Sequence, residues 1–288
     1  MLECPDMTHE TPTYAFLGPA GTFSDMAVRA FVANGTLGSN YVPHACETLA
    51  DVFESVDRGK ASYGVVPIEN SLEGSVTAVL DAFAFSTRAE ILGELAIDIH
   101  QALLISPGEK LSDITAIVSH PQGLGQCRRW ISRNLPDCQL RVAESTAAAA
   151  QAAAAEPHVA AIASPLAAEL AGIEVYEEAI EDNLSSQTRF VLIGQGPVEH
   201  KGPGKSTLAL FMNADRPGTL QMILSELFYA GVNLTMVQSR PTKRELGDYM
   251  FFMDIDGYAD EPNIQIALNC LRMKMREVKV IGSYPRGI

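Results

Sequence analysis

The amino-acid sequence predicts an α/β region that is followed by a smaller α+β domain. Between residues 14 and 194, short apolar runs alternate with helical patterns, which is typical of βαβ units and parallel sheets. A Gly- and Pro-rich stretch at 196–204 has no apolar period and predicts a linker. Beyond this linker the predicted order of elements is βαββαβ, the ferredoxin-like split unit.

In the first region, runs rich in apolar residues predict strands at 14–18, 63–68, 95–105, 115–119, 158–164 and 189–194. Polar turns follow several of these strands and predict the first residues of helices. The reason is that Ser, Thr and Asn side chains accept hydrogen bonds from the free N–H groups of a first helical turn. The predicted helix starts are Thr22 or Ser24, Asn70 or Ser71, Ser119 with His120 and Pro121, Ser145 with Thr146, and Ser164 before Pro165.

After the linker, six elements complete the βαββαβ order. They are a strand at 205–214, a helix at 218–231 that ends in a glycine, strands at 232–242 and 248–258, a helix at 261–275 and a strand at 277–285. A domain of this kind buries one sheet face under its helices and leaves the other face or an edge for a partner. The first of these helices is rich in apolar residues, which favours pairing with a second copy: Met222, Leu224, Leu227 and Phe228.

The composition excludes several classes of protein. With 288 residues and a formal net charge of −14, the chain is a poor partner for nucleic acid or an anionic membrane. Its five cysteines are scattered and contain no CxxC pair, so neither a disulfide framework nor a zinc site is predicted. Residues 1–13 have neither a basic region nor an apolar run, so we expect no signal peptide and a cytoplasmic protein.

The predicted helix starts indicate a binding site for a small anion. Helix N-termini carry free N–H groups and partial positive charge, and in parallel sheets they collect at the carboxyl ends of the strands. Ordinary helix capping explains each terminus equally well when it is taken alone. The sequence has no Walker A loop, GxGxxG fingerprint, HExxH pair or GxSxG elbow, so nucleotide, metal and serine-hydrolase sites are not predicted.

Individual polar residues leave alternatives open at this point. His120 is either a general acid or base or a structural donor, and Glu69 is either an acid or a cap. Gln126 lies four residues after Gln122, so both side chains can face one side of a helix. Thr188 and Arg189 stand where a polar loop enters an apolar strand, which predicts either a surface strand start or a site.

Four ordered motifs resemble those of prephenate dehydratases: GPAGTFSDMA (18–27), PIENSLEGSV (67–76), SHPQGLGQC (119–127) and TRF (188–190). The region after the linker resembles an ACT regulatory domain, with RPGTL (216–220) and QSRP (238–241) at its phenylalanine-binding motifs. Two positions depart from the family pattern. Ser186 replaces a common Asn, and Gln238 replaces a usual Glu.

The resemblance implies a two-lobed catalytic domain like that of periplasmic binding proteins, over residues 13–195. One lobe is expected at 13–92 with 184–195 and the other at 93–183, with chain crossings near 91–97 and 180–188. The linker at 196–204 and an ACT domain at 205–288 follow. Bifunctional relatives carry an N-terminal chorismate mutase domain, which we do not expect in this chain.

The resemblance also implies the reaction and its residues. Prephenate loses carbon dioxide and its ring hydroxyl to give phenylpyruvate, without cofactor or metal. Thr188 is the expected catalytic residue, as a hydrogen-bond donor to the departing oxygen. The expected substrate-binding residues are Thr22, Phe23, Glu69, Asn70, Ser71, Ser119, His120, Gln126, Ser145, Thr146, Arg189 and Phe190.

Regulation and assembly are implied in the same way. L-Phenylalanine is the expected allosteric effector, and a homodimer or homotetramer is the expected assembly. The expected effector-binding residues are Pro217, Gly218, Thr219, Leu220, Asn233, Leu234, Gln238 and Ser239. Two other functions remain open: arogenate dehydratase, whose substrate carries an amino group on the side chain, and a non-catalytic amino-acid sensor.

Overall fold

A computed structural model describes residues 11–213, 216–245 and 247–287 of the chain. The strand expected at 205–214 and the turn that precedes Gly247 extend to Ala214 and Leu246, which lie outside the described residues. The backbone contacts divide the chain into two compact units. The first is Met1–Val76 with Ala96–Phe190, and the second is Thr77–Leu95 with Val191–Ile288. This division differs from the predicted lobes, which stay a prediction.

The helices and strands of the described residues alternate along the chain. The strands are β1 (Thr13–Leu17), β2 (Val42–Cys46), β3 (Tyr63–Asn70), β4 (Gly74–Ser75), β5 (Glu90–Asp98), β6 (Ala102–Ile105), β7 (Ala116–Ser119), β8 (Gln139–Val142), β9 (Val159–Ala163), β10 (Glu174–Glu177), β11 (Gln187–Gly194), β12 (Gly204–Phe211), β13 (Leu234–Pro241), β14 (Tyr249–Asp256) and β15 (Glu277–Pro285). The helices are α1 (Phe23–Ala33), α2 (Leu49–Asp57), α3 (Thr77–Phe85), α4 (Pro121–Gln126), α5 (Arg128–Asn134), α6 (Thr146–Ala155), α7 (Pro165–Ala171), α8 (Thr219–Tyr229) and α9 (Pro262–Lys274).

The first unit contains two separate groups of strands. Strands β2, β1 and β3 are parallel neighbours in that order, and the short β4 folds back on the end of β3. A second sheet has the order β10-β6-β9-β7-β8. In it β7 runs parallel to β8 and β9, whereas β6 is antiparallel to both β9 and β10. The expected parallel pairing is therefore confirmed for β7 with β8 and β9, whereas β6 and β10 depart from it.

The apolar run predicted as one strand at 95–105 is two strands. Strand β5 ends at Asp98, and β6 begins at Ala102 in the second sheet of the first unit. Between them, the Ile99 N–H donates to the Ser186 carbonyl at 2.8 Å, and the Gln101 N–H donates to the Glu181 carboxylate at 2.9 Å. The run is apolar almost throughout, so its periodicity does not reveal the break.

Four of the five predicted helix starts are confirmed. Thr22, His120, Ser145 and Ser164 are N-caps, and each side chain accepts a hydrogen bond from the first turn of its helix. The fifth is wrong, because Asn70 ends β3 and the next helix, α3, begins only at Thr77. Asn70 forms a tight turn with the same side-chain chemistry that a cap uses.

The second unit contains the predicted βαββαβ element order. Strands β13, β14, β12 and β15 form an antiparallel sheet in that order, and α8 packs against α9. Its core combines both helices and the sheet face they cover, for example Leu210, Ile223 and Leu268. The segment Thr77–Leu95 belongs to this unit as well, and Ile91 of β5 pairs with Gly282 of β15. Within the described residues, no helix is both long and apolar enough to cross a membrane.

Candidate active site

The ENS turn and the start of the TRF strand meet residue by residue. The Asn70 side-chain amide donates to the Thr188 hydroxyl at 2.9 Å, and both side chains are more than nine-tenths buried. On one side of this pair, Arg189 forms an ion pair with Glu69 at 3.3 Å. On the other side, the Ser71 N–H donates to the Gln187 carbonyl at 2.9 Å. Residues 69, 70 and 71 thus contact residues 189, 188 and 187, which is the order of an antiparallel ladder.

The orientation of the Asn70 amide is fixed by the turn that follows it. Its Oδ1 atom accepts hydrogen bonds from the N–H groups of Leu72 and Glu73, at 2.9 and 3.1 Å. Backbone N–H groups are obligate donors, so this oxygen must face the turn. The Nδ2 group therefore faces Thr188 and donates to it.

This arrangement makes Thr188 a hydrogen-bond donor. A threonine hydroxyl has one hydrogen to donate and two lone pairs that accept. Asn70 occupies one lone pair, and none of the described residues accepts the Thr188 hydrogen. The hydroxyl hydrogen is thus available to an oxygen atom of a ligand.

Ser71 and Phe190 have structural contacts. The Ser71 hydroxyl accepts from the Gln187 N–H at 2.9 Å and donates to the Ser185 carbonyl at 3.2 Å, which closes the turn against the start of β11. Phe190 is 2% exposed and is one of the largest fully buried side chains. In this structure both residues support the strand that carries Thr188, and their expected contacts with substrate stay predictions.

A second group of predicted residues lies at the first turn of α1. The Thr22 hydroxyl donates to the Leu17 carbonyl at 3.0 Å and caps the helix, and Phe23, half-buried, is the first helical residue. The Ser164 hydroxyl, at the start of α7, donates to the Gly21 carbonyl at 2.7 Å. Two of the predicted helix starts are therefore in direct contact, as the argument for a shared ligand site requires.

The residues of the SHPQ motif surround a glycine that has no room for a side chain. A Cβ atom on Gly123 would lie 2.5 Å from the Ser119 hydroxyl oxygen. Ser119 is fully buried, and its hydroxyl donates to the Ile162 carbonyl at 2.6 Å. His120 Nδ1 accepts from the Gln122 N–H at 3.3 Å, so the neutral ring carries its proton on Nε2. Ser119 is buried, whereas the His120 ring is partly exposed.

Gln126 has a partner that the sequence did not reveal. The Gln101 amide, 3% exposed, donates to the Gln126 amide oxygen at 3.2 Å. Gln101 is held in turn by Glu181, whose other oxygen lies 2.7 Å from His100 Nδ1. The only advance signal was the polar His-Gln pair inside the apolar run at 95–105.

Ser145 and Thr146 form the first turn of another helix. Ser145 caps α6 through the Ala148 N–H at 3.0 Å, and Thr146 begins that helix. Over the described ranges, no hydrogen bond or ion pair joins Ser145, Thr146 or His120 to the pair of Asn70 and Thr188. Direct contacts join Glu69, Asn70, Ser71, Thr188 and Arg189 to one another.

A neighbouring cysteine cannot serve as a nucleophile. Burial, together with the carboxylates of Glu181 and Asp182, raises the pKa of the Cys127 thiol to about 12. The thiolate is the reactive form, so this thiol is inert near neutral pH. In the residues that the structure describes, no three His, Cys, Asp or Glu side chains converge as metal ligands would.

The predicted effector residues lie at two places in the second unit. Pro217 and Gly218 precede α8, Thr219 and Leu220 begin it, and Gly218 has φ +87°, a conformation that favours glycine. Asn233 precedes β13, and its amide donates to Asp256 at 2.7 Å while its carbonyl accepts the Asp256 N–H. Leu234, Gln238 and Ser239 belong to β13, where the adjacent pair 238 and 239 point to opposite faces.

A comparison with protein families identifies the family of this chain. The model of the family described as prephenate dehydratase matches residues 14–198. The chain belongs to the prephenate dehydratase family. The prephenate dehydratase of Amycolatopsis methanolica is 37% identical over 275 residues, which cover 94% of this chain and 88% of that relative. The protein is accordingly a lyase that dehydrates prephenate in phenylalanine biosynthesis.

Solved structures agree with this family assignment. The structure of prephenate dehydratase from Arthrobacter aurescens in complex with L-Phe has a TM-score of 0.84 and 37% identity, over 95% of this chain and 90% of that one. A protein described as a novel type of quorum quenching acylase has a TM-score of 0.81 and 29% identity, over 95% of this chain and 98% of that one. Two structures with this fold are therefore described with different activities, one as a dehydratase and one as an acylase.

Proposed function

We propose that Thr188 assists the departure of the ring hydroxyl from prephenate, and that Asn70 orients it. The observation that carries this proposal is the 2.9 Å hydrogen bond from the Asn70 amide to the Thr188 hydroxyl. It commits a lone pair of Thr188 and leaves the hydroxyl hydrogen to stabilise the negative charge that develops on the departing oxygen. An alcohol is a weak acid, so the hydroxide takes its proton from water or another acid.

The reaction needs little more than positioning and electrostatics. The bond between the ring and its carboxylate breaks, and the electron pair enters the ring. The ring C–O bond breaks at the other end, and hydroxide leaves and becomes water on protonation. The ring becomes aromatic, which supplies the driving force, and no redox cofactor is required. The protein must hold a dianion, for which the first turns of α1 and α6, with Thr22, Phe23, Ser145 and Thr146, are suitable.

Arg189 has a structural role in this proposal. Its guanidinium is largely buried and lies 3.3 Å from the Glu69 carboxylate. Neighbours on a strand point to opposite faces, so Arg189 and Thr188 do not face one ligand together. The ion pair joins β11 to the end of β3 beside the ENS turn.

The test is the formation of phenylpyruvate from prephenate, followed by its absorbance in alkali. Arogenate, the alternative substrate, is offered under the same conditions, and the larger kcat/KM identifies the preferred one. A sensor without catalytic activity would form no product from either. Amide hydrolysis is measured in parallel because one structural neighbour is described as an acylase. Neither the ladder of Asn70 and Thr188 nor the inert Cys127 supplies an activated nucleophile for that reaction.

We further propose that the second unit is an ACT domain that binds phenylalanine and inhibits the enzyme. Its ferredoxin-like sheet order supports this, and so does the presence of L-Phe in the structure of the Arthrobacter aurescens relative. The first turn of α8, entered through Gly218, offers N–H groups to the amino acid carboxylate. Asn233 already binds Asp256 with its amide and its carbonyl, so its expected contact with the ligand ammonium uses the second lone pair of that carbonyl.

A route for this regulation runs through the segment Thr77–Leu95. Asp81 of α3 binds Arg240 of the QSRP motif at 2.7 Å and Lys243 at 2.8 Å. Lys279 of β15 donates to the Phe83 carbonyl at 2.7 Å. Helix α3 follows directly after the ENS turn in the chain. Movement of β13 on effector binding can thus pull on the turn that orients Thr188.

A homodimer or homotetramer also forms part of the proposal. Helices α8 and α9 expose large apolar side chains that their own unit does not cover. The most exposed are Phe228, Tyr229, Ile266 and Met273, at 75%, 80%, 62% and 79%. Of the apolar positions predicted on α8, only Leu227 is fully buried, while Leu224 is 38% exposed. Contact with a second copy would bury these residues.

A further inference from the structure

Ser186 carries a buried hydroxyl that the described part of the chain does not satisfy. The residue is 1% exposed, and none of the described residues forms a hydrogen bond with its Oγ atom. A buried hydroxyl without a partner destabilises the folded protein. Such a group in a natural protein commonly serves a bound ligand or an ordered water.

The backbone places this hydroxyl on the same side of the chain as Thr188. The Ser186 carbonyl accepts from the Ile99 N–H at 2.8 Å, while the next residue, Gln187, bonds to Ser71 in the opposite direction. Burial alternates accordingly, with Ser186 and Thr188 buried and Gln187 exposed. Residues two apart in an extended segment face one side and lie about 7 Å apart along it.

That spacing suits the two ends of the substrate ring. The hydroxyl that leaves prephenate and the carboxylate that becomes carbon dioxide are attached to opposite carbons of a six-membered ring. With the hydroxyl held by Thr188, a ring that lies along the strand brings its carboxylate to the next residue on the same face. That residue is Ser186, whose hydroxyl is a donor.

We propose that Ser186 binds the ring carboxylate of the substrate and so determines which ring compounds bind. The proposal rests on the proposed role of Thr188, and it applies to prephenate and arogenate alike because both carry this carboxylate. A single neutral donor holds the carboxylate in the ground state. The bond weakens as carbon dioxide forms and the charge leaves, so Ser186 contributes to substrate binding more than to the chemical step.

The test is Ser186→Ala, measured with substrate and with product. A hydrogen bond to a charged group predicts a KM for prephenate that rises about ten- to a hundredfold, while kcat is unchanged or higher. Phenylpyruvate has lost the ring carboxylate, so its inhibition constant should be the same for the variant and the parent enzyme. Ser55→Ala is the matched control, because Ser55 is a buried serine of the same unit that lies beside Cys46.

Each other outcome overturns the assignment. An unchanged KM together with a higher melting temperature identifies Ser186 as an unsatisfied polar group that alanine relieves. Equal weakening of prephenate and phenylpyruvate places Ser186 at the pyruvyl carboxylate. If the alanine variant does not fold, Ser186→Cys keeps the shape with a weaker donor, and an unchanged KM there refutes the proposal. The proposed role of Thr188 is tested separately, by the kcat of Thr188→Ala.

Discussion

Replacement of Thr188 by alanine separates its catalytic role from its structural role. The change removes the donor to the departing oxygen, and loss of one such donor lowers kcat by about 10²–10³, or about 2.7–4 kcal/mol. It also removes the acceptor of the Asn70 amide, which is buried 2.9 Å away. An unsatisfied buried amide costs about 1–3 kcal/mol, which in a unit of this size lowers the melting temperature by roughly 2–4 °C per kcal/mol.

Two control variants distinguish these effects. Thr188→Ser keeps the hydroxyl and should retain kcat to within about tenfold. Thr48→Ala removes the cap of α2, where the Asp51 N–H donates to the threonine at 3.1 Å, and should lower stability by about 1 kcal/mol without changing kcat. The assay is the initial rate of phenylpyruvate formation, together with thermal melting of each variant.

The reasoning fails if Thr188→Ala folds and keeps kcat within about threefold of the parent enzyme, far short of the loss expected for a transition-state donor. Asn70 is tested by the double variant. If Asn70 acts only by orienting Thr188, then Asn70→Ala lowers kcat in the parent enzyme but adds nothing in the Thr188→Ala background. If the two substitutions lower kcat independently, so that their effects multiply, Asn70 has its own contact with the substrate.

Four further predictions concern the second unit, the assembly and the Cys127 thiol. Phenylalanine should lower the initial rate of the parent enzyme. Gly218→Val should abolish this inhibition, because valine does not tolerate the positive φ at that position. Unchanged inhibition would place the effector elsewhere. Asp81→Asn should weaken inhibition more than calorimetric phenylalanine binding, and parallel losses would refute the route through α3. Light scattering should give at least twice 31.0 kDa, and a monomer at working concentration would contradict the proposed assembly. Iodoacetamide at pH 8 should spare Cys127 in the native protein, since its pKa is about 12, and label it after unfolding.

The sequence predicts the elements that carry the site better than it predicts their pairing. The strand at 189–194 and four helix caps are local patterns, and the structure confirms those elements. The contact of Asn70 with Thr188 joins residues 118 positions apart in the chain. No local period encodes that register, which arises because the strand that follows Ser186 returns beside the ENS turn.

Two differences between the predicted and observed elements have a shared physical cause. The sequence predicts that Asn70 caps a helix, and in the structure it closes a turn, because an Asn side chain accepts from backbone N–H groups in both settings. The sequence predicts one strand at 95–105, and the structure interrupts it at 99–101, where Ser186 and Glu181 accept hydrogen bonds from the backbone. In both cases the local sequence fits two structures, and contacts made elsewhere decide between them.

The charges of the ladder explain how an acidic protein can bind a dianionic substrate and still promote the loss of its carboxylate. The net charge is −14, and the one arginine in the ladder is already paired with Glu69. The groups that we propose for the substrate in this region are neutral donors, namely the Thr188 and Ser186 hydroxyls. A cation beside the ring carboxylate would stabilise the charge that has to disappear as carbon dioxide forms, and would thereby raise the barrier. Neutral donors bind the same carboxylate less strongly and resist its departure less. The salt bridge that withholds Arg189 from the substrate is therefore consistent with a reaction in which the anion at one end of the ring must be lost and the oxygen at the other end must be stabilised.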